Sequence, residues 1–168
     1  IEGDTIQRIR STKTNFKDIN NDDIFDFLTN LFLKLLNMLN ICHEDNIFIG
    51  DISDSNIILS KFHDLFIVDL ENTEIVSNLD IKNKIIGRTP GFFNSNIDSL
   101  NLFEQDKQQM GYLLLSLITK SNFLLTLDPS GKTTLNILLE VARTYNIPSY
   151  LINVITNLIY NKRIKLKQ

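Results

Sequence analysis

Three oxygen-bearing side chains stand at defined intervals between Gly50 and Glu71: Asp51, Asn56 five residues on, and Asp69 behind the apolar run Leu65 to Val68. An acid, an amide and a second acid form the set needed to transfer the terminal phosphoryl group of a nucleotide. That reaction uses a carboxylate beside the acceptor hydroxyl and oxygen ligands for the Mg²⁺ ions that hold the phosphates and neutralise developing charge. On this reading Asp51 is the catalytic residue, and Asn56 and Asp69 hold the metal. Asx side chains also cap turns and end strands, so a purely conformational role is the competing account of the same three residues.

The elements that must position them follow from hydrophobic periodicity. Residues Asn21 to Asp45 carry apolar side chains over more than one helical face, which predicts a largely buried helix. Two β-rich runs, Ile47 to Ile49 and Ile57 to Leu59, precede Leu65 to Val68, and the polar stretch Ser60 to Asp64 can turn the second into the third, giving a small hairpin. Leu70 to Asn101 is polar and carries Thr89-Pro90-Gly91; it reads mainly as loop, with a short helical piece near Ile81 to Ile86. Helical patterns return at Phe103 to Thr119, Lys132 to Tyr145 and Pro148 to Tyr160, the last entered through a proline suited to a first turn. The fold class expected is α+β, mainly helical, with a small β-hairpin.

Composition narrows the function. A chain of 168 residues with 43% hydrophobic content can bury one sizeable core, and a formal charge of −3 gives no basic footprint for nucleic acid. The basic cluster Lys162, Arg163, Lys165 and Lys167 reads as a solvated tail. Met110 to Ile118 is apolar nearly all round but far short of the ~20 residues that cross a bilayer, so no membrane span is expected. Cys42 is the only cysteine; it reads as a buried small hydrophobe and fits a reducing, cytoplasmic setting. His43 and His63 lack the partners of a zinc site and read as helix-end and hairpin-turn residues. Thr126 to Thr134 ends like a phosphate-binding loop, but Thr126 stands where the first glycine belongs, and no later strand ends in an acid; a turn leading into a helix at Lys132 is the expectation. Ile1 is not an initiator methionine and no signal-peptide pattern follows it, so a piece of a longer chain is expected.

The ordered landmarks resemble the protein kinase fold. Asp51-Ile52-Ser53-Asp54-Ser55-Asn56 resembles its catalytic loop, D-x-x-x-x-N, and Val68-Asp69-Leu70-Glu71 stands where the family carries D-F-G. Ile1 to Thr5 resembles the hinge after the fifth strand of the small lobe. Ile86 to Phe92 resembles the G-T-P-x-[YF] substrate segment, with Arg88 where glycine is expected. Asp106 and Gly111 match the D-x-x-x-x-G that opens the central helix of the large lobe. No G-x-G-x-x-G and no V-A-I-K-like lysine precedes them, so residues 1–168 resemble the C-terminal lobe alone, starting at the hinge, with the N-lobe absent from the chain.

Within that fold, Gly50-Asp51-Ile52-Ser53, Asn56 to Leu59, Asp69-Leu70-Glu71 and Thr89 to Phe92 are similar to the kinase domain of class III and IV lanthipeptide synthetases. The resemblance implies Mg²⁺, ATP or GTP, and a precursor peptide phosphorylated on Ser and Thr. It also implies an N-lobe, a lyase that eliminates the phosphate, and a cyclase as other regions of the same parent chain. By residue, it implies that Asp51 handles the hydroxyl proton, Asn56 and Asp69 hold Mg²⁺, and Ile1 and Ile58 contact the nucleotide. Thr89, Pro90 and Gly91 would form the substrate loop, and Asp106 would accept hydrogen bonds from the catalytic-loop backbone. Two alternatives remain: an aminoglycoside- or choline-type phosphotransferase of the same fold, which shares the acid-x-Glu of Asp69-Leu70-Glu71, and an inactive kinase-like scaffold.

Overall fold

The computed structural model describes residues 2–11, 21–77, 87–120 and 132–161. Strand β1 (Gly3–Thr5) runs into helix α1 (Ile6–Ser11), followed by the long helix α2 (Asn21–Glu44). Four short strands come next: β2 (Ile47–Phe48), β3 (Ile57–Ser60), β4 (Leu65–Ile67) and β5 (Glu74–Ile75). A 3₁₀ turn (Ile97–Ser99) leads to helix α3 (Leu102–Thr119), and helices α4 (Lys132–Tyr145) and α5 (Ser149–Ile159) complete the order. The architecture is α+β, mainly helical, with small antiparallel sheets.

Helix α2 buries Leu28, Leu31, Phe32, Leu35 and Leu39, a stripe at the spacing of one helical face. That stripe joins Met110 and Tyr112 to Leu115 of α3 and Leu151, Ile155 and Ile159 of α5 in one apolar cluster. Helices α3 and α5 pack tightly at Gly111: a Cβ there would stand 2.7 Å from Ile159 Cγ1 and 3.0 Å from Ile159 N, so a side chain at this position would force the two apart. Asn101 and Glu104 start α3 with reciprocal side-chain-to-backbone bonds, a capping box. No described helix is long and apolar enough to cross a membrane.

The expected hairpin is present as β3 and β4, in register Ile57↔Ile67 and Leu59↔Leu65. Its turn is tied by Ser60, whose Oγ accepts the N–H groups of Phe62 and Asp64, with His63 in the left-handed region. Two pairings were not legible locally. β1 adds to the other side of β3, with Thr5 opposite Ile58, and β5 pairs with β2 inside a stretch read as loop. Two-residue strands that find partners about 27 positions away carry no period of their own. Helix α1, at six residues, is likewise too short to show periodicity. Pro148 caps α5 from outside rather than occupying its first turn. Cys42, expected to be buried, is half-buried and lines a groove of about 300 Å³ with Lys34, Met38 and His63. Ile1, the helical piece at 81–86, the turn before Lys132 and the basic cluster at 162–167 lie outside the described residues.

Candidate active site

The loop from Ile49 to Asn56 connects β2 to β3 and is shaped largely by the first half of α3. Gly50 takes φ +89°, and a Cβ there would stand 2.6 Å from the Asn72 carbonyl, so the chain turns at a position open only to glycine. Asp106 then holds the turn. Its carboxylate accepts the N–H groups of Ile49 and Gly50, both at 2.9 Å, and His43 Nε2 lies 3.0 Å from Oδ2. One helical turn later, Gln109 accepts the Ile52 N–H at 3.0 Å and donates to the Gly50 carbonyl at 3.0 Å. Thr73 Oγ1 donates to the Ile49 carbonyl at 3.2 Å.

Asp106 is fully buried, and desolvation pushes its carboxyl above the ordinary range, opposed by the hydrogen bonds from His43, Ile49 and Gly50. His43 is fixed from its other side by stacking on Phe103, with ring centroids 4.3 Å apart. Its place at the end of α2 thus does more than cap a helix; it links α2 to the acid that grips the loop.

Held in this way, the loop brings Asp51 and Asn56 together. Asn56 Nδ2 donates to Asp51 Oδ2 at 2.9 Å and to the Asp51 carbonyl at 3.2 Å. Ser55 Oγ donates to Asn56 Oδ1 at 3.1 Å and lies 3.0 Å from the hydroxyl of buried Ser53, which sets which way the amide faces. A third predicted residue joins them: Thr89 donates its N–H to Asp51 Oδ1 and its hydroxyl to Oδ2, both at 2.8 Å.

The other sequence-assigned residues within the described segments lie on the hairpin and on the chain after Thr89. The Val68 N–H donates to the Asn56 carbonyl at 2.9 Å, so the hairpin register sets Asp69 one residue beyond the neighbour of Asn56. Asp69 is exposed, takes φ +60°, and its carboxylate has no partner among the described residues. Ile58, on the central strand β3, is half-buried between Thr5 and Phe66 of the flanking strands. Pro90 is exposed, while Gly91, at φ +95°, and Phe92 are buried. Asn56 Oδ1 and the Asp69 carboxylate, which has no partner among the described residues, are hard oxygen atoms of the kind that Mg²⁺ takes.

Three glutamines of α3 escaped the sequence reading. Gln105 and Gln108, interleaved with Asp106 and Gln109, hold the segment from Arg88 to Asn94: Gln108 accepts the Asn94 N–H, and Gln105 accepts Arg88 Nη2 at 2.7 Å. Arg88, where the resemblance expects glycine, has a largely buried side chain that reaches Asp98 Oδ1 at 2.9 Å and lies over the Phe93 ring. It anchors the chain immediately before Thr89. The available signal was a run of polar residues, Gln105 to Gln109, opening a helix whose continuation is apolar on every face; exposed polar residues would have occupied one face only.

No family model and no curated protein matches the chain.

Proposed function

We propose that the chain is the larger lobe of a protein-kinase-like phosphotransferase that phosphorylates Ser and Thr of a precursor peptide, in the manner of lanthipeptide synthetases, with ATP or GTP. The observation that carries this reading is the Asp51 carboxylate, which is met at once by the amide of Asn56 and by both donors of Thr89. An acid fixed by three donors before any substrate arrives is preorganised to orient a hydroxyl and to take its proton as the oxygen attacks phosphorus. Asn56 Oδ1 and Asp69 would hold Mg²⁺, which when bound neutralises charge on the phosphates. Ile58 would present an apolar surface to the base, and Ile1 a second contact from the hinge side. Asp106, with Gln109, holds the backbone that carries Asp51.

Thr89 also favours a peptide over a small molecule. Its two bonds tie the segment Thr89 to Phe92 directly to the acid, so an extended chain lying on that segment would present a hydroxyl to Asp51. An aminoglycoside- or choline-type enzyme has no use for such a shelf. The test is mass-spectrometric detection of phospho-Ser or phospho-Thr on a candidate precursor incubated with the full-length protein, Mg²⁺ and ATP or GTP. Phosphorylation of an aminoglycoside or of choline, with the peptide untouched, would sink the peptide reading and establish the small-molecule one. No transfer to either would leave the inactive scaffold.

A further inference from the structure

The Asp51–Asn56 loop has a second anchor, supplied by α1. The Gln7 N–H donates to the Asp54 carbonyl at 2.7 Å, and one turn later Arg10 Nη2 stands 2.5 Å from Asp54 Oδ2. Both side chains are buried, Arg10 at 9% and Asp54 at 4% exposure. The strand before α1 grips the end of the same loop, since Thr5 of β1 pairs with Ile58, two residues past Asn56. The segment from Gly3 to Arg10 therefore holds the loop at its middle and at its exit.

Neither the metal nor the proton transfer requires an acid at Asp54. As a source of stability it is also a poor choice, because desolvating two charges offsets most of their attraction, and an apolar pair of similar volume often holds a fold as well. What a buried ion pair adds in some proteins is conformational specificity; here it acts through the close charge contact, since Arg10 Nε and Asp54 Oδ2 make no hydrogen bond among the described residues. Asp54 lies three residues after Asp51 and two before Asn56, so a displaced Asp54 changes the separation of the acid and the amide on either side.

We infer that the Arg10–Asp54 pair is a positioning device: held between α1 and the loop, it sets the register in which the Asn56 amide meets the Asp51 carboxylate. The geometric half of this stands on the contacts alone; its consequence for rate rests on the phosphotransfer reading above.

The deciding variant is the double substitution Arg10→Met with Asp54→Leu, which leaves no buried charge unpaired and is expected to stay folded. Hydrogen exchange at the Ile52 and Asn56 amides should quicken about tenfold or more in it, with the amides of Leu113 to Leu117 in α3 unchanged. In the full-length protein kcat should fall by about 10- to 100-fold with the nucleotide KM within about twofold, and Arg10→Lys, which keeps the charge, should recover part of the rate. Wild-type exchange at Ile52 and Asn56 in the folded double variant would overturn the inference whatever the activity. An unfolded double variant would overturn it too, making the pair a stability element. Faster exchange with unchanged kcat would remove the catalytic half. Should the wild-type protein transfer no phosphate, the phosphotransfer reading fails by itself, and the exchange measurement still decides the positioning.

Discussion

Asp51 takes hydrogen bonds from Thr89 N, Thr89 Oγ1 and Asn56 Nδ2, whereas Asp69, set beside Asn56 by the hairpin register, is exposed and takes none among the described residues. The backbone beneath them differs in the same sense. Ile49, Gly50 and Ile52 are held by buried Asp106 and Gln109, while Asp69 and Leu70 leave the end of β4 into solvent. An acid that must meet a reacting hydroxyl gains from being fixed in advance, because ordering it during the reaction would add to the barrier. An acid that must ligate an incoming cation gains from keeping its lone pairs free. The contrast predicts that substitutions at the first acid and at its support act on both rate and fold, and that substitutions at the second act on ligand binding alone.

The largest expected effect is at Asp51. In the full-length protein Asp51→Asn should lower peptide phosphorylation by about 10²- to 10⁴-fold, the usual worth of a positioned general base, while peptide affinity stays nearly intact. Quantitative mass spectrometry for the rate and a separate peptide titration check the two halves. A variant retaining most of its rate would remove Asp51 from the chemistry and leave its bonds with Thr89 as loop architecture.

Next in size is the support. Asp106→Ala strands the buried N–H groups of Ile49 and Gly50, and unsatisfied buried donors cost about 1–3 kcal/mol each, so a loss of roughly 2–5 kcal/mol is expected in urea unfolding. A loss under about 1 kcal/mol would mean that water replaces the carboxylate and that the loop is less tightly held than its contacts indicate.

How far the sequence foretold this contrast depends on which kind of signal each part carries. The long helices α2, α3 and α4 were legible, since their periodicity is local and their length leaves little ambiguity. Asp51, Asn56 and Thr89 could be named because their types and spacing follow one recognisable order. Gln105, Gln108 and Gln109 could not, because glutamine on a helix is ordinarily solvated, and only the loops folded over them turn their amides into anchors. Arg10 and Asp54 were equally silent: a buried pair 44 positions apart has no local pattern, and neither do β1 on β3 or β5 on β2.

A smaller effect comes from the charge of the support. Burial raises the Asp106 carboxyl above its ordinary value of 3.8, so the folded state binds its proton more tightly than the unfolded chain does. Stability from this group is therefore fully present below pH 3.8 and is lost as pH rises through the folded value. Asp54 is shifted in the same direction, by burial that outweighs the pull of Arg10. Relative to Asp106→Asn, which cannot titrate, the wild-type protein should lose unfolding free energy as pH is raised from that point, read from urea titrations across the acid range. A difference that grows with pH instead would reverse the sign and mean that the bonds from His43 and the two amides dominate over desolvation.

The smallest expected change is in the fold at Asp69, and it is informative because it should be nearly absent. Asp69 is exposed and sits at φ +60°, a conformation that Asp and Asn tolerate better than other side chains. Asparagine keeps that backbone preference and removes only the charge, so Asp69→Asn should alter unfolding free energy by no more than about 0.5 kcal/mol. Alanine is the wrong control here, since it would add the strain of a left-handed residue to the loss of the carboxylate. The ligand side should respond in the opposite way: an amide in place of a charged oxygen facing a divalent cation weakens Mg²⁺-nucleotide binding, measured by calorimetry on the full-length protein. A carboxylate with no partner among the described residues, poised for a cation, therefore predicts unchanged stability together with lost affinity. Unchanged stability with unchanged affinity would take Asp69 out of the metal site and leave Asn56 without its partner. A marked loss of stability would instead show that Asp69 is held as firmly as Asp51, and the contrast between the two acids would be gone.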